Sequence, residues 1–265
     1  EILVEAKGYF RVGDIQKYKA IRDSLPKKKQ LVFLLYNPDK KVRKGSKMNM
    51  AEWCEKENKD FYFMDHGYFT NAHDHPHWLR ITKNKHCQNI LQNRPTDRYE
   101  KNFKQDIKPW NKEGSRILVL PPTNAIANFF GAEDWLDTTL KTLKQHTDRP
   151  LDVREKPYNP TVAVDHVGAT VKVERPTVNK GKINWTDYHA TVTYNSNTMV
   201  ASLANGVPVL CDPENCAAAP ISETDFTKVE SPKYGDRVAL FSSLAYNNFS
   251  LKEMNDGTAW RILNG

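Results

Sequence analysis

Between Thr191 and Leu210 two strand-length segments bracket a run of small polar residues. Residues 191–194 (Thr-Val-Thr-Tyr) and 207–210 (Val-Pro-Val-Leu) are β-branched or apolar. Asn195, Ser196, Asn197 and Thr198 bring helix-capping side chains and backbone N–H groups, and Gly206 stops the short helix that follows. The pattern predicts a strand, a tight turn, two helical turns and a buried strand. That sequence of elements belongs to an α/β protein. A helix opening from the carboxyl end of a strand suits a phosphate or pyrophosphate, because its first N–H groups are unpaired and its dipole favours negative charge. Open α/β sheets hold their ligands at that edge. An ordinary, well-capped βαβ unit would carry the same pattern without a ligand.

A chain of 265 residues accommodates one large domain or two small ones. Hydrophobic residues make up 39% and aromatics 11%, as in a polar globular protein. No run approaches the roughly 18 apolar residues of a membrane span, and the N-terminus has the look of a strand rather than of a leader peptide. Cys54, Cys87, Cys211 and Cys216 lack metal-site pairing, which points to a reduced, cytoplasmic protein (the host cytoplasm if phage-encoded). Residues 1–60 hold 15 Lys/Arg against 9 Asp/Glu, residues 61–112 hold 9 against 5, and residues 113–265 hold 15 against 18. The net charge of +7 therefore sits in the N-terminal part. A basic segment of this kind fits a polyanionic partner, double-stranded DNA first, or a merely solvated face.

Residues 117–120 read as a buried strand, with Pro121, Pro122, Thr123 and Asn124 as a loop at its carboxyl end. Residues 134–146 read as a helix whose Trp135, Leu136, Leu140 and Leu143 form one apolar face, assigned to the core. Residues 151–154 form the next strand and deliver Arg154 and Lys156 to the same edge, where both can neutralise phosphates. Residues 159–184 read as a variable loop region with a short strand over 169–173, residues 213–221 as a loop, and residues 249–263 as a helix pair packing back on the basic lobe.

Ser196 to Val209 resembles the donor-site motif of two-domain GT-B type glycosyltransferases, especially capsule-polysaccharide and phage-encoded enzymes. The order of further elements extends the resemblance over residues 61–265: Phe61 to Phe69, residues 117–122, Asp134 with Trp135, residues 147–157, residues 244–249 and residues 253–260. It implies a Rossmann-like GT-B donor domain over residues 113–265, with closing C-terminal helices. Residues 61–112 would be an acceptor-side region, and residues 1–60 an incomplete or substituted N-terminal α/β lobe. It also implies a nucleotide-sugar donor, UDP-sugar first, bound by Arg154, Lys156, Asn195, Ser196, Asn197 and Thr198 without an obligatory metal. Many such enzymes place a ribose-binding Glu about five residues before the motif glycine, where this chain has Ala201. Ribose recognition then falls to another residue, Glu214 first, or the donor is held differently.

Residues 1–60 carry a second pattern. Glu5 and Lys7 alternate onto one face of a strand, Asp14, Lys17 and Lys19 lie on a helix, residues 31–36 form a buried strand, and residues 50–55 are again helical. Glu5 could hold Mg²⁺ and Lys7 could stabilise charge on a phosphodiester. This block resembles the second half of phage Holliday-junction endonucleases of the PD-(D/E)xK class, in Glu5-x-Lys7-Gly8, the Lys-Gly-Ser loop at 44–46 and the Trp-Cys-Glu-Lys helix at 53–56. In that family a metal-binding Asp precedes Glu-x-Lys, and the given chain starts at Glu1.

The loop over residues 71–79 contains His73, His75 and His77 in alternation, together with Asp74. Such residues could bind metal or contact substrate, although Pro76 favours a plain loop. An inverting transfer needs a base for the acceptor hydroxyl. Asp65, at the end of an apolar run, is the first candidate, with His66, Asp74 and His75 beside it. Three classes of function remain open. The first is a glycosyltransferase acting on hydroxymethylated phage DNA. The others are an Mg²⁺-dependent endonuclease using Glu5 and Lys7, and a non-catalytic DNA-binding protein.

Overall fold

The computed structural model describes residues 2–57, 59–69, 78–154 and 183–265. In chain order the elements are β1 (Ile2–Lys7), α1 (Asp14–Ser24), β2 (Gln30–Leu35), α2 (Met50–Lys56), β3 (Phe61–His66), β4 (Trp78–Lys83) and α3 (Asp97–Asn102). There follow β5 (Arg116–Leu120), α4 (Asn124–Phe130), α5 (Trp135–His146), β6 (Leu151–Val153), β7 (Tyr188–Thr193), α6 (Thr198–Ala204) and β8 (Val209–Cys211). The chain closes with α7 (Arg237–Ala245), β9 (Asn248–Ser250), α8 (Leu251–Asn255) and α9 (Thr258–Asn264). The protein is α/β, in two compact units: residues 1–87 with 246–265, and residues 88–245.

The first unit is built on a five-stranded sheet of order β1-β2-β3-β4-β9. β1, β2 and β3 run parallel, and β4 is antiparallel to both β3 and β9. β2 is apolar throughout its middle, so Val32 and Phe33 are wholly buried. Phe10, Tyr18, Phe33 and Trp53 form one aromatic cluster, with Phe10 edge-on to Trp53 at 4.9 Å and Tyr18 edge-on to Phe33 at 5.0 Å. α2 starts where Asn49 and Glu52 satisfy each other's backbone N–H groups in a capping box. The sheet runs on past residue 60, so the boundaries expected after residues 60 and 112 give way to boundaries after 87 and 245. The cause is β-pairing: Phe33 pairs with Phe61, and β4 pairs with β9 from the far end of the chain. The C-terminal helix pair belongs to this basic unit, where Tyr62 donates to Asn264 Oδ1 and packs on Trp260.

The second unit has a fully parallel four-stranded sheet of order β6-β5-β7-β8. Its core joins Ile117, Val119, Val192 and Leu210 to Leu136, Leu140 and Leu143 of α5, the stripe expected from the sequence. The loop expected over residues 121–124 is present at 121–123, and α4 begins at its last residue, Asn124. Thr123 caps that helix by accepting from the Ile126 N–H, and Gly131, at φ 65°, ends it.

Candidate functional sites

In the second unit the chain leaves β5 in one direction along the sheet and enters β7 on the other side of it. The order 2-1-3-4 in chain sequence therefore puts a topological switch point between β5 and β7, where such sheets bind ligands. Thr193 ties the two strand ends together. Its hydroxyl donates to the Leu120 carbonyl at 3.0 Å and accepts from the Ser196 N–H at 3.1 Å. The loop after β7 is thus anchored to the neighbouring strand. Ser196 Oγ in turn accepts from the Thr198 N–H at 3.3 Å, and the first turn of α6 closes through Met199 N–H to the Ser196 carbonyl. Of the four side chains expected to cap, Ser196 accepts from the helix, and the N-cap residue Asn197 makes no side-chain cap bond. The polar run lies at the carboxyl edge, as its sequence implies, and it begins by organising its own turn.

Arg154 follows β6 at the same edge of the sheet, with its N–H donating to the Val119 carbonyl at 2.9 Å. Asn195, Ser196, Asn197 and Thr198 are half-buried there. Glu214 is exposed on the loop after β8, in a turn around Asp212, whose Oδ1 accepts from the Glu214 and Asn215 N–H groups. Asn215, which the sequence did not single out, donates to the Tyr194 hydroxyl at 3.0 Å and links this turn to the end of β7. Lys156 lies outside the described residues, as do Asp74 and His75 and the neighbouring His73 and His77. A small cleft of about 50 Å³ beside this edge is lined by Pro121, Pro122, Asn124, Asn128 and Glu133 among others. A wider groove of about 500 Å³, lined by residues such as Tyr99, Lys104 and Val238, contains none of the residues expected to act.

In the first unit Glu5 and Lys7 do share a face of β1, with Lys7 Nζ 3.6 Å from Glu5 Oε1. Two residues of α1 complete the cluster: Asp14 Oδ2 lies 2.9 Å from Lys7 Nζ, and the Tyr18 hydroxyl donates to Glu5 Oε1 at 2.7 Å. Asp14 also accepts from the Arg11 N–H, and this bond, with the Lys7 ammonium, holds its carboxyl below the usual range. Lys7 is shifted upward, chiefly by Tyr18 and then by Asp14, and burial raises Tyr18 to about 12. The ammonium lies between the two carboxylates, in the space a divalent cation would need. The residues present do not fit Mg²⁺ in this arrangement, and among the described residues no group of three or more His, Cys, Asp or Glu could hold a metal.

Asp65 and His66 end β3. Asp65 Oδ2 accepts from Arg80 Nη2 at 2.7 Å, while Oδ1 accepts from the His66 N–H. The Arg80 guanidinium lies over Tyr68 at 5.1 Å and Phe63 at 6.0 Å. Asp65 is therefore the anion of an ion pair stacked on aromatics. The sequence did not indicate Arg80, because only the antiparallel register Asp65↔Arg80 brings the two together. His66 is exposed.

With this geometry in view, the known proteins fall into place by segment. Residues 1–97 match the phage endonuclease I family. That is the part containing Glu5, Lys7 and the basic face. The fold of the whole chain is similar to the solved structure of the beta Kdo 2,7 transferase of KpsC from Thermosulfurimonas dismutans, at 12% identity and a TM-score of 0.54, covering 100% of this chain and 99% of that one. The beta Kdo 2,4 transferase of the same KpsC aligns over 98% of both chains at 12% identity and a TM-score of 0.44. No curated protein matches the sequence. Among the described residues no helix is long and apolar enough to cross a membrane.

Proposed function

We propose that this chain is a glycosyltransferase that moves a sugar from a nucleotide sugar, UDP-sugar first, to a hydroxyl on DNA, in the cytoplasm of the cell that makes it. The observation that carries the reading is the switch point between β5 and β7, with Thr193 anchoring the Asn195–Thr198 loop to Leu120. The similarity of the whole chain to a transferase fold supports it. Arg154, together with Lys156, would neutralise the donor diphosphate. Asn195, Ser196, Asn197 and Thr198 would hydrogen-bond it as charge grows on the leaving group. Glu214 is the candidate for the ribose hydroxyls. Asp65, His66, Asp74 and His75 are the residues to substitute in search of the acceptor base. The match of residues 1–97 to a phage endonuclease family and the basic charge of residues 1–60 support DNA as the acceptor, with a hydroxymethylated base as its hydroxyl. A hydroxymethyl group exposed in the major groove can be reached without flipping the base.

The test is incubation with plain or hydroxymethylated DNA and a panel of nucleotide sugars, followed by nucleoside mass spectrometry. A sugar-sized mass gain on one nucleoside is expected, and unmodified nucleosides with every donor would overturn the reading. A second reading, DNA cleavage, is favoured by the match of residues 1–97 to a phage endonuclease family. It would appear in the same reactions as shortened DNA.

A further inference from the structure

At the carboxyl ends of β1 and β2 two tyrosines are exposed, and two cations lie against the ring of the first. Tyr36 is 77% exposed and Tyr9 50%, on a unit whose other large aromatics are mostly buried. The strand ends are joined, since the Tyr36 N–H donates to the Lys7 carbonyl at 2.9 Å. Lys40 Nζ lies 5.1 Å from the centre of the Tyr9 ring and the Arg11 guanidinium 5.8 Å from it. Lys40 is carried by the turn that follows Tyr36, its N–H donating to the Asn37 carbonyl. Beside them Val12 is fully exposed at the tip of the turn before α1. Exposed aromatic rings cost solvation without a partner, and here they are interleaved with cations that suit phosphates.

We propose that Tyr9, flanked by Arg11 and Lys40, and Tyr36 at the adjoining strand end form a stacking platform for unpaired nucleobases of DNA. This rests on the reading of DNA as the partner and goes beyond it, because inside a paired duplex both faces of each base are already stacked and none is free for a tyrosine. Bases stack on the rings and the backbone phosphates lie against Arg11 and Lys40, the arrangement by which single strands are held without sequence preference.

The experiment is fluorescence anisotropy of the full chain with a labelled single-stranded oligonucleotide and with the same sequence as a blunt duplex, each over a range of salt. Wild type, Tyr9→Ala/Tyr36→Ala, Tyr9→Phe/Tyr36→Phe and Lys40→Ala are compared, with circular dichroism to verify folding. The alanine pair is expected to lose about tenfold or more on the single strand and less than twofold on the duplex. The phenylalanine pair should bind the single strand like wild type, because the ring and not the hydroxyl does the stacking. Lys40→Ala should weaken both DNAs and flatten the salt dependence. Equal losses on both DNAs, or none on either, would overturn the platform while leaving DNA as the partner. Absence of binding to either DNA by wild type would overturn the platform by removing the DNA reading beneath it.

Discussion

Lys7 and Asp14 form an ion pair of 2.9 Å between β1 and the first turn of α1, with side chains only 15% and 11% exposed. The signs of their shifts fix a pH window. Asp14 is held below its ordinary 3.8, so its contribution is present above that pH and lost as pH falls through its folded value. Lys7 is raised above 10.5, so its contribution is present below that pH and lost as pH rises through its folded value. Asp14→Asn should cost about 2 kcal/mol between pH 5 and 9, the scale of a hydrogen bond to a charged group. Denaturant melts across pH should show the gap between wild type and variant closing below pH 4.

Asp65 and Arg80 separate structure from catalysis. Removing the carboxylate takes away the anion paired at 2.7 Å with the guanidinium over Tyr68, and breaking such a pair costs about 3–5 kcal/mol when it is well buried, less at the half-exposed Asp65 end. Asp65→Asn should therefore lower the unfolding midpoint clearly, by calorimetry. His66→Ala, at an exposed position, should leave the midpoint unchanged, so a loss of transfer in that variant alone would mark chemistry.

At the switch point, Ser196→Ala removes the acceptor for the Thr198 N–H and should cost about 1 kcal/mol. Under the transferase reading it should also weaken nucleotide-sugar binding several-fold, and Arg154→Ala should weaken it by tenfold or more. Calorimetric titration with the donor identified by mass spectrometry measures both.

Gly206 has a positive φ of 80°, and a Cβ added there would meet the Pro109 carbonyl oxygen at 2.0 Å. Gly206→Ala should destabilise the second unit by about 3 kcal/mol or more, left-handed backbone strain adding to the clash. A chemical denaturation curve of the variant would reveal it.

His189 is buried, with Nε2 3.1 Å from the Val229 carbonyl oxygen and Nδ1 without a hydrogen-bond partner among the described residues. Burial, and then the nearby Arg149, lowers its pKa from 6.5. The neutral ring is favoured by the fold, so stability should decline as pH drops from 6.5 toward the lower folded value. By NMR, its ring resonances should titrate below the ordinary 6.5.

The amino-acid sequence by itself determined the local chemistry. The α/β class, the strand-turn-helix at 191–204, the apolar face of α5 and the Glu5–Lys7 alternation are all readable because period and capping act over a few residues. Capping was legible as a type but not by residue: Ser196, rather than Asn197, accepts from the helix. Tertiary structure decided what depends on pairing between distant segments. β9 joins β4 across more than 160 residues, which moved the domain boundary away from residue 60. Asp14 reaches Lys7 only because α1 folds back on β1, and that contact fills with an ammonium the space where the sequence suggested Mg²⁺. Arg80 meets Asp65 only through the antiparallel register of β3 and β4. Register and helix docking are set by burial of whole faces of the sheet, a sum over the fold that no local pattern contains.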